Sequence, residues 1–464
     1  MKIFAKRGSL DMLHGSIWNQ LPRFALPVAA TALLEQLFNA SDIAIVGNFT
    51  GAERTVAVAA VGANSPIIAL VVNLFIGIAL GTNVVIAHAI GRRDSDAVRK
   101  AVHTSVVLSI LGGILVLIAG ELVAAPLLSL LNVPADVFPL ALTYLRIYLL
   151  GLPVILLYNF EAAVFRSVGE TTIPLVALAV SGVLNVVLNL FFVAVLNLSV
   201  SGVAIATVIA NAVSAAVLYR HLRRTDRVIH LEPKSLRIDT RSLVQILKIG
   251  LPAGLQSAVF AVSNIIIQAA INTLGTVVMA ASSAALTIEI ITYDILNSFA
   301  QACTTFVGQN FGAGKLRRCT HTLYLCLIEG AVPLALAIAA ILLFGKPMLA
   351  IFNSEPAVVS AGYIRLMMAM TSHSFSLLYE VMAGYLRGFG ISLAPALLTI
   401  LGVCGTRIAW IQFVFPHSRT FRTIVEAYPV SLAITTVLIL VALWIYHPVT
   451  RIARLRLKVY NTAS

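Results

Sequence analysis

Long apolar runs alternate with short polar segments along this chain, and twelve of the runs are long enough to cross a bilayer. They lie near 20–47, 56–82, 101–122, 137–162, 172–195, 200–222, 245–272, 277–303, 321–344, 358–385, 392–415 and 425–447. A spanning helix needs roughly 20 mostly apolar residues. The pattern therefore predicts an all-α polytopic membrane protein with 12 transmembrane helices.

The runs are also written twice. Ala25-Leu26-Pro27 returns as Gly250-Leu251-Pro252, and Arg166-x-x-Gly169-x4-Pro174 returns as Arg387-x-x-Gly390-x4-Pro395. Tyr144-Leu145-Arg146 matches Tyr363-Ile364-Arg365, Leu156-Leu157-Tyr158 matches Leu377-Leu378-Tyr379, and Gly91 after His88 matches Gly312 after Gln309, at offsets between 219 and 225. Each copy holds six spans, an even number, so both enter the membrane in the same orientation as two pseudo-symmetric six-helix bundles. The predicted organisation is an amino-terminal lobe over residues 1–222, a polar linker over 223–241 and a carboxy-terminal lobe over 242–464. A site between two such bundles opens to either side when one rocks against the other, which points to a transporter. Pro27 and Pro252 fall at equivalent positions of spans 1 and 7, where a proline removes an intrahelical hydrogen bond and bends the helix. Pro27 is the expected hinge.

Composition agrees with the bilayer assignment. Apolar residues make up 59% of the chain and charged ones 11%, against about 25% charged in soluble domains. Positive charge sets the orientation, because cytoplasmic loops retain Lys and Arg. With the amino terminus inside, 25 of the 32 basic residues fall on inner segments. The outer segments hold Arg54, Lys346, Arg419 and Arg422, while Arg146, Arg365 and Arg407 lie within spans. Both termini are expected in the cytoplasm, in a bacterial inner membrane. This topology also explains the net charge of +13 without a nucleic-acid partner, since the basic residues alternate with spans instead of lining one face. The short basic amino terminus runs directly into a span too long for a cleavable signal. Cys303, Cys319, Cys326 and Cys404 have neither zinc nor disulfide spacing and read as packing residues. No nucleophile with a base, metal-ligand pair or phosphate loop is recognisable, so an enzyme is not expected.

Polar residues inside the spans carry the candidate chemistry. A carboxylate at mid-membrane costs on the order of 2.5 to 3.5 kcal/mol, so it needs a partner, a water-filled cavity or a proton. On span 1, Thr31, Glu35, Asn39 and Asp42 recur at helical spacing on one face, the expected lining of a cavity. Glu35 and Asp42 are about 10 Å apart along the axis, too far to share one proton directly. Asn185 and Asn189 on span 5 are one turn apart, as are Thr207 and Asn211 on span 6. They either offer oxygens to a cation and hydrogen bonds to a protonated Asp42, or join helices. Span 8 carries Glu289, Tyr293, Asn297 and Gln301, with Asp294 beside them. This stripe either lines a cavity suited to an organic cation or makes polar contacts within its lobe. Glu161, Glu329, Glu380 and Glu426 are assigned to helix ends and packing. At an offset of 225 the span 1 set becomes Gln256, Phe260, Asn264 and Ile267, so only the first copy keeps the acidic pair. The cation-coupling site is expected there, at Asp42. Glu35, Asn39, Gln256, Asn264, Glu289, Tyr293 and Asp294 are the candidate substrate-cavity residues.

These residues bring the chain close to a known family. FALPVAATALLEQLFNASDIAIVG at 24–47, AVGANSPI at 60–67, IGLPAGLQSAVFAVSNIIIQ at 249–268, FVGQNFGAGKLRR at 306–318, YLRGFGISLAP at 385–395 and GVCGTRIAW at 402–410 resemble the multidrug and toxic compound extrusion (MATE) transporters, most of all the bacterial MepA-like branch. The resemblance covers essentially the whole chain. It implies two six-helix lobes in a V around a central cavity and export of organic cations or other drugs. It also implies drive by inward sodium or proton flow, no cofactor and no metal beyond sodium at Asp42. The small organic substrate and the lipid bilayer are the expected partners of a monomer. The family's span 1 aspartate falls on Asp42 and its bending proline on Pro27. The asparagine, aspartate and threonine of its first-lobe ion site fall on Asn185, Asn189 and Thr207. Asn189 is a departure, an amide in place of an acid, and a glutamate that some sodium-coupled members carry on span 7 falls on Phe260. The alternative is a lipid or lipid-linked oligosaccharide flippase of the same superfold. It would want a strongly basic cavity for a pyrophosphate, whereas the acids here favour cations.

Overall fold

A computed structural model describes residues 10–451. Lys2, Lys6, Arg7, Arg454, Arg456 and Lys458, which contribute to the expected orientation of the termini, lie outside the described residues. Among those described there is no strand, and twelve long helical runs follow one another. The first six are α1 (Ile17–Phe49), α2 (Arg54–Gly91), α3 (Ser95–Leu130), α4 (Phe138–Ser167), α5 (Thr172–Val195) and α6 (Ser199–Arg224). After the linker come α7 (Thr240–Asn272), α8 (Thr276–Gly312), α9 (Leu316–Phe352), α10 (Pro356–Gly388), α11 (Leu393–His417) and α12 (Phe421–Tyr446). The predicted all-α, twelve-span architecture is the observed one.

Ten of these helices are long and apolar enough to cross a membrane. The other two, α1 and α10, carry charge along their length: Arg23, Glu35 and Asp42 on the first, Arg365 and Glu380 on the second, with Arg387 in its last turn. Charge inside a spanning helix is costly and marks a functional or buried polar contact. The longest helix, α2, runs for 38 residues, about 57 Å at 1.5 Å per residue. That exceeds a hydrocarbon core of about 30 Å, so helix ends extend beyond it.

The repeated Arg-x-x-Gly motif has a local structural cause. Gly169 takes φ +80°, its N–H bonds the Arg166 carbonyl at 3.0 Å, and the Glu170 N–H reaches back to Phe165 at 3.0 Å. In the second copy Gly390 takes φ +82° and bonds Arg387 at 2.8 Å, while Ile391 bonds Leu386 at 3.0 Å. Both are helix stops in which a left-handed residue lets two orphan carbonyls be satisfied, and glycine pays no Cβ penalty there. The motif ends α4 and α10.

The chain divides into two compact units. Among the described residues, the first comprises 10, 30–90 and 94–250, and the second 11–29, 91–93 and 251–451. These limits differ from the predicted lobes, because the start of α1 groups with the second unit and the start of α7 with the first. The chain passes from one unit to the other just after Pro27 and just before Pro252. The linker belongs to the first unit and is fastened to α3. Its Glu232 N–H donates to His103 Nε2 at 3.1 Å, its Asp239 N–H donates to Thr104 Oγ1 at 2.9 Å, and Ile229 and Leu231 are buried. Within the first unit, Gly113 of α3 meets the Pro153 backbone of α4 with no room for a Cβ. Within the second, Gly384 of α10 meets the Ala300 carbonyl of α8 in the same way. Small residues at helix contacts are the usual route to close packing in a bilayer, where apolar burial alone does not join helices.

Candidate functional site

In the first unit, α1, α5 and α6 bring four polar side chains into a closed ring. Asn189 Nδ2 donates to Asp42 Oδ1 at 2.5 Å and to Asn185 Oδ1 at 3.1 Å. Asn185 Nδ2 donates to Thr207 Oγ1 at 3.3 Å, and Thr207 Oγ1 donates to Asp42 Oδ2 at 3.2 Å. The one-turn spacing of Asn185 and Asn189 places both amides on the face of α5 toward Asp42. Two residues after Asn189 the helix widens into a π turn, Phe191–Val195, a feature that often marks functional positions. Asn211 stays out of the ring and bonds the Thr207 carbonyl at 2.9 Å.

The ring is buried, and no described basic side chain stands beside its carboxyl group. Asp42 is 7% exposed and Asn189 fully buried. Among the described residues, the hydrogen-bond partners of Asp42 are neutral and no Lys, Arg or His stands within ion-pair distance of it. Asn189 Oδ1 is buried and accepts no hydrogen bond. Asn189 thus presents its amide N–H groups to Asp42 and Asn185 and leaves its own carbonyl oxygen unused, and an amide that turns over would present that oxygen to a hard cation or a proton.

The rest of the α1 set is divided. Thr31 is buried, but Glu35 and Asn39 lie on the protein surface, and neither joins the Asp42 ring. Asn264 on α7 is exposed, whereas Gln256 is buried and accepts a hydrogen bond from Arg387 Nη2 at 2.9 Å.

The stripe on α8 enters a different network, inside the second unit. Glu289 is buried against Arg365 at 3.0 Å. Arg365 also donates to Ser282 Oγ at 2.6 Å and to the Tyr428 hydroxyl at 3.3 Å. In this conformation Glu289 therefore faces an arginine and not open space, because a guanidinium only 2% exposed would otherwise be left without a counter-charge. Tyr293 donates its hydroxyl to Glu380 at 3.0 Å, and Glu380 lies 3.8 Å from Arg387. Asp294 is partly buried beside them. Arg407 donates to Ser431 Oγ at 3.1 Å and lies 4.3 Å from the centre of the Tyr428 ring. Sequence reasoning left Arg365 and Arg407 without a role, although charge inside a span was the available signal. The four cysteines are free and buried, and no cluster of three His, Cys, Asp or Glu able to hold a metal occurs among the described residues.

Comparison with known proteins identifies the family and the fold. A sequence model of the MatE family matches residues 27–191 and 252–411. The probable multidrug resistance protein YoeA of Bacillus subtilis strain 168 is 24% identical over 433 residues, covering 91% of this chain and 93% of that protein. The multidrug export protein MepA of Staphylococcus saprophyticus is 21% identical over 386 residues, 83% of this chain and 85% of its own. Among solved structures, a MATE protein in a bent conformation superposes with a TM-score of 0.87 at 20% identity, over 97% of this chain and 99% of that one.

Proposed function

The chain belongs to the MatE family, and on that premise we propose that it is a secondary active antiporter. It exports drugs or other amphipathic, often cationic, organic compounds across the bacterial inner membrane, driven by inward flow of H⁺ or Na⁺. Both termini face the cytoplasm, and the substrate leaves chemically unchanged. Support for the substrate class comes from the relatives, named as multidrug resistance and multidrug export proteins.

The observation that carries the coupling step is the Asp42 ring, a buried carboxylate with neutral partners and a spare amide oxygen. A carboxylate held this way is neutralised by whichever cation reaches it. Asparagine serves either state: its amide N–H donates to the carboxylate, and turned over its carbonyl accepts from the carboxylic acid. Sodium would draw on the oxygens of Asp42, Thr207 and the two asparagines. Either event loosens or tightens the tie from α1 to α5 and α6, above the Pro27 hinge, and so biases the preference between outward- and inward-open states.

Efflux of a fluorescent organic cation from reconstituted vesicles, under separately imposed sodium and proton gradients, tests the proposal. One of the two gradients drives efflux in the native protein, and Asp42→Asn removes that dependence. Efflux that ignores both gradients, or that survives unchanged in Asp42→Asn, overturns it.

A further inference from the structure

A second site is built around residues 11–15 in the second unit. This segment crosses the turn between α8 and α9 as a strap and is latched there by side chains. Lys315 Nζ donates to the Leu13 carbonyl at 2.8 Å, Arg318 Nη2 donates to the carbonyls of Met12 and Gly15 at 3.0 Å each, and Asn310 Nδ2 donates to Met12 at 3.1 Å. Met12 is buried beneath. Beside the strap opens a cavity of 480 Å³ whose wall includes His14, Arg92, Arg93 and Lys315, with Gly91 and Gly312 exposing backbone.

The repeat shows what is unusual about this wall. The turn after α8 stops the helix with Gly314 at φ +76°, its N–H on Phe311 at 2.9 Å and the next N–H on Asn310 at 2.8 Å. The equivalent turn after α2 has Arg93 at φ +59°, followed by an Asp94 N–H on Ala89 at 3.0 Å. The left-handed conformation costs a side-chain-bearing residue roughly 1–2 kcal/mol relative to glycine. One copy uses the unstrained residue and the other keeps arginine, with Arg92 where the second copy has Ala313. Strain kept at Arg93, where the second copy has the glycine solution, calls for a role.

The charge of this wall is not consumed locally. The Arg92 and Arg93 side chains are exposed and make no ion pair or hydrogen bond among the described residues. Of the nearby acids, Asp11 takes up His14 of the wall itself at 3.2 Å, whereas Asp94 with the Ala97 N–H at 3.0 Å and Asp96 with Lys100 at 2.6 Å are engaged elsewhere, so none of them pairs with Arg92 or Arg93. Arginine forks and a lysine around a cavity at the end of spanning helices match a phosphate oxyanion.

We propose that this cavity binds a phosphate group, that of an anionic phospholipid at the membrane surface, and that the bound group ties the strap to both helix turns. General retention of positive charge in inner loops accounts for the arginines but not for a latched strap, a cavity or a strained Arg93.

The test counts lipids retained by the full-length protein in neutral detergent, by native mass spectrometry, after equilibration with phosphatidylglycerol or phosphatidylcholine. The native protein retains phosphatidylglycerol preferentially. Arg93→Gly, which installs the residue of the second copy and relieves strain, weakens that retention about fivefold, and Arg92→Gln with Arg93→Gly weakens it about thirtyfold. Arg223→Gln with Arg224→Gln, a pair of exposed arginines at the end of α6, leaves it unchanged. Inorganic phosphate is the competing arm. Weak competition supports the lipid as source, and full displacement with phosphate bound in its place overturns the lipid and leaves a soluble phosphate ester as the ligand. Equal retention of the two lipids by the native protein, no loss in the Arg92 and Arg93 variants, or an equal loss in the α6 pair overturns the proposal.

Discussion

In the first unit one buried acid, Asp42, touches only amides and a hydroxyl, whereas in the second unit two buried acids, Glu289 and Glu380, each lie against an arginine. The two arrangements do different things with the same kind of group. A buried acid paired with arginine has its charge cancelled by a fixed partner, and removing either side leaves an uncompensated ion. An acid surrounded by neutral donors has no such partner, and the proposed coupling assigns the missing charge to a mobile cation. The comparison teaches that buried acids in spans differ in kind, and that the partner of each acid, not its presence, sets that difference.

The strongest way to break this comparison is to remove the uncompensated acid. Asp42→Asn is expected to reduce gradient-driven efflux to the level of empty vesicles while leaving the melting temperature close to native. A melting temperature that collapses would instead make Asp42 a structural residue. Next in size is the opposite experiment in the second unit. Arg365→Met alone strands Glu289 and is expected to destabilise the protein by about 3–5 kcal/mol, read as a large drop in thermal stability in detergent. Adding Glu289→Gln should recover most of that loss, and the recovery is what identifies the pair as structural.

A third variant sharpens the first unit. Asn189→Asp places a second carboxylate against Asp42 and raises the negative charge of the ring. If sodium can enter, half-maximal efflux should require on the order of tenfold less of it, from the added Coulombic attraction. A native response to protons with no sodium response in this variant would assign coupling to the proton alone. The smallest expected effect belongs to Asn185→Ala, which cuts the ring at neutral hydrogen bonds worth about 0.5–1.5 kcal/mol each. Efflux at limiting gradient should fall by a few-fold, and recovery with Asn185→Gln would trace the loss to the hydrogen bonds themselves.

Much of this architecture was legible in the chain. Apolar run length determined the twelve helices, because a bilayer satisfies no backbone polar group and forces each spanning segment to bond internally. The Arg-x-x-Gly repeats encode their own helix stops, since the bonds involved reach only three and five residues back along the chain. The spacing of Asn185 and Asn189 likewise settled that both amides share a face of α5.

Tertiary structure decided what those faces meet. The partners of Asp42 on α5 and α6 lie 147 and 165 residues away in sequence, and helical periodicity carries no information about which neighbour packs against a given stripe. For that reason Thr31, Glu35, Asn39 and Asp42, collinear in sequence, separate into two buried and two exposed positions. Glu289 met Arg365 across 76 residues for the same reason. The strap over the α8–α9 turn depends on contacts spanning about 300 residues, such as Arg318 to Met12 at a separation of 306. Local rules set each helix and its caps; only the packed chain determined which charges face a partner and which remain available to bind one.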